Sequence, residues 1–247
     1  MTILVSGATA TLQRYAGHSC FGVLVTPRNW NSLDRVVQMQ VAWGADNDAF
    51  HGGWTIEKER AFSRMLGKIC LLPDRSQLKF VSSPDVVGDC RATLDRLEQW
   101  RPIMRSSELP AAYVLQDGAT EIPDCDAVFL GGSTEFKLSR EAEELLVAAK
   151  RLGKWTHVGR VNTKCRLRHF WEIGVDSIDG TAFSRWPDIH FAAAIRWMHR
   201  LQTQQHFLPT HPAPNTKGPE RWISPRLNRV QVPPIQGHTS ESETRFS

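Results

Sequence analysis

The segment 127–161, AVFLGGSTEFKLSREAEELLVAAKRLGKWTHVGRV, decides the fold class of this chain. Its two apolar runs, AVFLGG at the start and WTHVGRV at the end, have the length and the β-branched or aromatic content of buried strands. Between them, SREAEELLVAAKRLGK has apolar residues at helical spacing, acidic residues in its first turn, basic residues in its last and Gly153 as a stop signal. A strand, a helix and a strand in this order predict a parallel βαβ unit.

The same alternation recurs along the chain. Seven strands are predicted: FGVLVT at 21–26, RVVQMQVAW at 35–43, LKFVSS at 78–83, AAYVLQ at 111–116, AVFLGG at 127–132, WTHVGRV at 155–161 and VDSIDG at 175–180. The opening TILV is a candidate for an eighth strand, and TIEKERAFSRMLGKIC and PDIHFAAAIRWMHRLQTQ read as further amphipathic helices. We therefore expect an α/β fold, a (β/α)8 TIM-type barrel over residues 1–202, with an irregular or incomplete barrel left open.

The remaining segment, 203–247, differs in composition. It contains seven of the chain's 14 prolines, and we expect an extended or disordered tail there.

The composition of the chain limits the kinds of partner that we expect for it and the cellular compartment in which we expect it. The 247 residues include 30 Lys and Arg against 26 Asp and Glu, a net charge of +4 that permits a nucleic-acid partner without requiring one. Five widely spaced cysteines without a C-x-x-C pair favour reduced thiols over a disulfide framework or a zinc site. Because the start lacks a signal-peptide pattern and no apolar run reaches membrane-spanning length, we expect a soluble cytoplasmic protein without a membrane partner.

Polar residues and glycines gather at the carboxyl ends of the predicted strands, where α/β barrels place their active sites. They are Asp46 and Asp48, Asp85 and Asp89, Gln116 and Asp117, Gly131 and Gly132, and Asp179. A single Asp or Gly after a strand is more often a turn residue, but five such positions in succession favour a site. A carboxylate can attack an anomeric carbon while a second acid handles protons, and a glycine pair lets a flat ligand approach the main chain.

In this order these residues resemble the tRNA-guanine transglycosylase superfamily, whose members exchange guanine for a 7-deazaguanine within a polynucleotide. The family's S-D-S-G-G-F motif is similar to ADNDAF here, which carries the proton-handling aspartate to Asp46. Its second base-binding aspartate matches Asp89 in VVGDC, its Gln-Gly element matches Gln116 in VLQDG, and its Gly-Gly-Leu turn matches FLGGS at Gly131 and Gly132.

The longest similarity is the family's G-x-D-x-F-D-C-V-x-P-T-R, beside which this chain has GVDSIDGTAFSR. That alignment makes Asp179 the nucleophile, retains Arg185 and suggests that Gly180 leaves the nucleophile room. Phosphate contacts are predicted at Arg160, Lys164, Arg166 and Arg168 in GRVNTKCRLRH, although a solvated helix face explains this run equally well. For Asp176 the alternative to a functional role is a structural pair with a nearby arginine, and for Trp43 packing beneath the barrel rim is favoured over stacking on a base. We leave both residues out of the catalytic set.

The family's zinc-binding Cys-x-Cys-x-x-Cys motif is absent, so the resemblance is strongest to the zinc-free, DNA-modifying DpdA paralogues of phages and bacteria. It implies exchange of guanine in DNA for a base such as preQ0 through a covalent aspartyl-sugar intermediate, with no metal or other cofactor. A phage-encoded member would act in the host cytoplasm. tRNA as the substrate, a base-excising DNA glycosylase and an inactive nucleic-acid-binding relative remain alternatives, and a homodimer or accessory modification proteins remain open as partners.

Overall fold

Eight parallel strands close into a barrel in the computed structural model of this protein, which describes residues 1–7, 9–50 and 52–205. Neighbouring strands in the barrel are neighbours in the chain, and the last strand pairs with the first. The strands are β1 (Thr2–Ser6), β2 (Phe21–Val25), β3 (Ala42–Ala45), β4 (Leu78–Ser82), β5 (Ala111–Leu115), β6 (Ala127–Leu130), β7 (Trp155–Val158) and β8 (Ser177–Asp179). This arrangement confirms the predicted TIM-type barrel and shows that the opening TILV segment is its first strand.

Helices follow most of the strands. They are α1 (Thr9–Tyr15), α2 (Leu33–Gln38), α3 (Ile56–Cys70), α4 (Cys90–Ser106), α5 (Thr134–Lys137), α6 (Arg140–Arg151), α7 (Lys164–Ile173), α8 (Thr181–Arg185) and α9 (Ala192–Gln205). A short 3-10 turn, Trp30–Ser32, precedes α2, and a π-helical turn, Pro187–Phe191, precedes α9. Between β5 and β6, residues 116–126, all of which the structure describes, form turns and bends instead of a helix.

One predicted strand is partly wrong. Residues 35–38 belong to α2, and only the end of the RVVQMQVAW segment forms a strand, β3. Val36 and Val37 suggested a strand by their β-branched side chains, but the buried residues of α2, Leu33 and Val36, are three apart and share one helix face. The predicted tail at 203–247 lies almost entirely outside the described residues.

Two apolar layers hold the barrel together. The outer layer packs strand residues such as Ile3, Val23 and Ile178 against the helices. The inner layer fills the barrel and consists of Leu4, Leu24, Phe80, Ala112, Val114, Ala127 and Phe129, with Trp155 packed against it. Along each strand, every second residue therefore points inward, which is the side-chain period of a pleated strand.

A glycine inside the barrel makes room for its largest filling residue. A Cβ atom at Gly44 would lie 2.4 Å from the ring of Phe80, so only glycine fits opposite this aromatic side chain. The interior below the carboxyl ends of the strands is thus packed rather than hollow. Among the described residues, no helix is both long and apolar enough to cross a membrane.

Candidate active site

A cavity of about 570 Å³ opens at the carboxyl end of the barrel. Its lining includes most of the residues predicted for the site: Asp46, Gln116, Gly131, Gly132, Arg160, Asp179 and Arg185. They lie at the ends of different strands or in the segments that follow them, and barrel closure brings them together because parallel strands end on the same face. Asp48 and Arg160, which also line the cavity, hold left-handed backbone with φ of 61°. Gln40 and Glu108, which do not line the cavity, also have positive φ, so this conformation alone does not mark the site.

Asp179 ends β8 with its carboxylate oriented by two donors. His157 Nε2 lies 3.0 Å from Asp179 Oδ2, and the backbone N–H of Arg160 donates to Oδ1 at 3.2 Å. The Asp179 side chain is 17% exposed, whereas the His157 side chain is fully buried. The carboxylate therefore faces the cavity while its partner holds it from the barrel interior.

His157 is itself held by a chain of hydrogen bonds that starts deeper in the barrel. The Trp155 indole N–H donates to Ser177 Oγ at 2.9 Å, and Ser177 Oγ lies 2.9 Å from His157 Nδ1. Because an indole nitrogen only donates, the Ser177 hydroxyl accepts from Trp155 and has its own proton available for Nδ1. The neutral tautomer consistent with this chain carries its proton on Nε2 and donates it to Asp179.

Two aromatic rings fix the plane of the His157 ring. Phe129 contacts it edge to face at a centroid distance of 4.5 Å, and Phe80 lies at 4.8 Å with a tilt of 34°. Sequence reasoning missed His157. The sequence signal for this residue was a histidine two positions after Trp155 in β7, where the side chain points into the barrel.

Asp46, directly after β3, has the properties of a proton carrier. Burial, followed by the negative charges of Asp179 and Asp85, raises the pKa of Asp46 to about 7. The Ser82 hydroxyl and the Asn47 backbone N–H both donate to Asp46 Oδ1, at 3.0 and 2.8 Å. Near neutral pH this carboxyl group exists in both protonation states, as a general acid and base requires.

Asp85 is the second carboxylate that the fold places beside Asp46. It is buried, and its oxygens accept from Asn47 Nδ2 at 2.9 Å and from Gln116 Nε2 at 2.6 Å. Burial raises the pKa of Asp85 as well. The Gln116 side chain also accepts from the Gly88 backbone N–H at 2.9 Å, so it fixes both Asp85 and the turn after β4.

Asp89, predicted to bind the base, does not line the cavity. It is exposed and caps the N-terminus of α4, with its side chain accepting from the Ala92 backbone N–H at 2.9 Å. Asp85 lies nearer the end of β4 and enters the cavity in its place. Both residues follow the same strand, and the sequence alone offered no way to tell which one the turn directs inward.

The glycines of the site are required for different structural reasons. A Cβ atom at Gly131 would lie 2.9 Å from Val114 and 3.0 Å from Gln116, and Gly132 has a φ of +70° and would meet Asp117 at 2.7 Å. At Gly180 the added Cβ would lie 2.5 Å from the Val161 carbonyl oxygen. Gly180 therefore makes room for the β7–α7 turn.

Basic groups surround the mouth of the cavity. The Arg160 guanidinium lies over the Phe50 ring at 4.1 Å and donates to the Gly132 carbonyl oxygen. Arg28 pairs with Asp48 at 2.5 Å, and Arg185 follows from α8. These positions suit a ligand that carries its negative charge outside the cavity.

A buried lysine lies behind the mouth. Lys137 donates to the Gly159 carbonyl oxygen at 3.0 Å, and desolvation, followed by the charge of Arg160, lowers the pKa of Lys137 to about 8. It does not line the cavity, and we assign it a structural role in holding the turn after β7.

The other three residues of the predicted basic run, Lys164, Arg166 and Arg168, do not line the main cavity. Arg168 pairs with Glu172 on the same helix at 2.8 Å. This pair agrees with the alternative prediction that the basic run forms a solvated helix face. Arg166 lies near enough to Lys137 to lower its pKa, and Lys164 lines a separate cavity beside α9. Neither Arg166 nor Arg168 reaches the lining of the main cavity.

The two residues kept out of the catalytic set have structural roles. Trp43 is buried in the outer apolar layer. Asp176 pairs with Lys150 at 2.5 Å and accepts from the Thr156 hydroxyl at 2.8 Å. A metal site is not evident in residues 1–7, 9–50 and 52–205, where His, Cys, Asp and Glu form no group of three or more that could hold an ion.

Comparison of the chain with protein-family models and with curated proteins finds no match.

Proposed function

We propose that this protein is a base-exchange transglycosylase that replaces guanine in DNA with a 7-deazaguanine such as preQ0. The observation that carries the proposal is the pair of carboxyl groups in one cavity. Asp179 is oriented by two hydrogen-bond donors, and Asp46 has a pKa of about 7. Chemistry at a glycosidic carbon needs such a pair, one group to attack and one to transfer protons.

The exchange divides into two displacements at C1′ of the same sugar. In the first, an Asp179 oxygen forms a bond to C1′, the bond from C1′ to N9 breaks, and protonated Asp46 gives its proton to the departing guanine. In the second, ionised Asp46 accepts the N9 proton of the incoming deazapurine, and N9 displaces Asp179 from C1′. Both catalytic groups end in their starting states, and the two inversions give net retention at the sugar.

Base recognition falls to the far wall of the same cavity. Guanine presents donors at N1 and at its exocyclic amine, and the buried carboxylate of Asp85 offers acceptors for them. The main chain at Gly131 and Gly132 is approachable by a flat base because neither residue has a side chain. Extrusion of the base from DNA costs a few kcal/mol, which contacts from Arg28, Arg160 and Arg185 to phosphates would offset.

The test is an exchange assay with purified full-length protein. Guanine-containing DNA and, separately, tRNA are incubated with preQ0, digested to nucleosides and analysed by mass spectrometry for the deazapurine nucleoside. We expect the product in DNA, its loss in Asp179→Ala and its strong reduction in Asp85→Ala. Asp89→Ser is the matched control, because serine keeps the helix cap while removing a carboxylate outside the cavity.

The outcomes separate this proposal from its rivals. Product only in tRNA would make RNA the substrate. Abasic DNA without added preQ0 would indicate a glycosylase that hydrolyses the covalent intermediate. Unmodified DNA and tRNA, together with intact DNA binding by Asp179→Ala and the native protein alike, would indicate a binding protein and overturn the enzymatic assignment.

A further inference from the structure

A second cavity, of about 290 Å³, lies between α7, α8 and α9. Helix α8 separates it from the candidate active site. Thr181 and Ser184 line the active-site cavity, whereas Ala182 and Phe183 line the second one. The Ala182 backbone N–H donates to Asn162 Oδ1 at 3.1 Å, which ties α8 to the turn after β7. The two cavities are therefore next to each other along the barrel mouth.

The buried part of the second cavity's lining is apolar and partly aromatic. Leu167, Phe183 and Ala194 are buried there, and Trp197 is partly buried beside them. Trp171 contacts the Trp197 ring at a centroid distance of 6.3 Å and an interplanar angle of 73°. This contact orients an indole ring at the cavity wall, where a flat ligand can stack on it.

The rim of the same cavity is basic. Lys164, Arg196 and Arg200 are exposed on it, and the residues that line the cavity include no Asp or Glu. Within the part of the chain that the structure describes, none of these three cations forms an ion pair. Arg168, one turn along α7 from Lys164, is neutralised by Glu172. Unpaired positive charge is therefore concentrated at the rim of the cavity and does not extend along the whole surface of α7.

We infer that the second cavity binds a nucleotide that neighbours the exchanged guanine on the same DNA strand. Its base stacks at Trp197, and its phosphate contacts Lys164, Arg196 and Arg200. Charge complementarity and the aromatic wall together select a nucleotide, because an acidic peptide would leave the indole wall unused and an apolar ligand would leave three cations unpaired. The inference rests on the proposed function, since it takes the neighbouring cavity as the site of the extruded guanine.

Salt-dependent binding tests the phosphate contact. Fluorescence anisotropy with a labelled guanine-containing single-stranded oligodeoxynucleotide is measured on the full-length protein, on Arg196→Gln/Arg200→Gln and on Arg168→Gln as the matched control. We expect the double variant to bind about tenfold more weakly and to lower the slope of log affinity against log salt by roughly 0.7 for each phosphate that is no longer neutralised. The control should bind like the native protein because its charge is paired on the helix surface.

A second measurement tests the stacked base. Trp197→Leu should weaken binding by about 5-fold to 150-fold, the range for loss of one base–aromatic stack. When the neighbouring nucleotide on the correct side of the guanine is replaced by an abasic residue, the same substitution should no longer change the affinity. Oligonucleotides with the abasic residue on the 5′ or the 3′ side determine which neighbour is bound.

The inference is overturned if the double variant binds with native affinity and salt slope, or if Arg168→Gln weakens binding equally. It is also overturned if the effect of Trp197→Leu persists with both abasic oligonucleotides. These binding results are independent of base exchange. Failure of the proposed function therefore appears as absent product with normal binding, whereas failure of this inference appears as exchange activity with unaltered binding in the variants.

Discussion

Burial and the negative charge of Asp179 together raise the pKa of Asp46 to about 7, although the two residues follow different strands, β8 and β3. Barrel closure is responsible for this coupling, because it directs both carboxyl groups into one cavity. The coupling has consequences that are measurable without a substrate, and the first two predictions rest on it.

Removing the charge of Asp179 should lower the pKa of Asp46. We expect Asp179→Asn to move the titration of the Asp46 carboxyl group toward its ordinary value, by less than the whole shift because burial, the largest cause, remains. Carbon-13 NMR of labelled aspartate carboxyl groups measures this directly. An unchanged Asp46 titration would show that the two carboxylates do not interact.

Asp46→Asn should stabilise the protein at pH 8 but not at pH 4. The folded-state pKa lies above the unfolded value of 3.8, so the stability that Asp46 contributes is fully present below pH 3.8 and is lost as the pH rises through about 7. One pKa unit corresponds to about 1.4 kcal/mol, so the gain at pH 8 is expected to reach a few kcal/mol. Asparagine keeps an oxygen for the bonds from Ser82 and Asn47.

Thermal unfolding of native protein and variant between pH 4 and pH 8 measures the difference. Asp95→Asn, which changes an exposed carboxylate on α4, is the matched control. A pH-independent effect of Asp46→Asn would contradict the raised pKa. Together with lost exchange activity, stabilisation at pH 8 would show that the site is maintained at a cost in stability.

His157→Phe should lower the rate of exchange at saturating substrate on the order of 100-fold while leaving KM nearly unchanged. Phenylalanine keeps an aromatic ring between Phe80 and Phe129 but leaves Asp179 Oδ2 and Ser177 Oγ without their partner. Single-turnover kinetics with DNA and preQ0 measure the rate. Trp155→Phe removes only the far donor of the same chain and should have a much smaller effect.

A change mainly in KM for His157→Phe would show that the residue shapes the base pocket instead of positioning Asp179. The same variant should lose about 1–3 kcal/mol of stability, because buried Ser177 and partly buried Asp179 each lose a hydrogen bond. Thermal melting separates that loss from the kinetic effect.

Gly180→Ala should destabilise the protein by about 1–3 kcal/mol. The added methyl group would lie 2.5 Å from the Val161 carbonyl oxygen and 2.8 Å from Asn162 Oδ1, so the β7–α7 turn must move. Gly67→Ala is the matched control, since its Cβ would meet nothing within 4 Å in the middle of α3, and it should stabilise by about 0.5–1 kcal/mol. Urea unfolding of both variants measures the contrast, and a neutral Gly180→Ala would contradict the close packing.

The sequence by itself determined the alternation of strands and helices from which the barrel is built, and left its closure open. Its strand patterns and capped helices are local signals, and the TIEKERAFSRMLGKIC segment illustrates them, with Thr55 accepting from the Lys58 backbone N–H at the start of α3. Strand–helix repetition then leaves few alternatives to a parallel sheet. Asp46 and Asp179 were predictable for the same reason, since each comes at or directly after the end of a strand.

Tertiary structure alone decided which groups beyond the strand ends face the cavity. Asp85 and Asp89 follow the same strand, and the path of their turn, held by Gln116 from the next strand, directs only Asp85 inward. His157 became a partner of Asp179 because β7 and β8 pair in register, with His157 opposite Ser177. Such contacts join residues that are distant in the chain, and their geometry depends on barrel closure and turn conformation, which no local sequence pattern specifies.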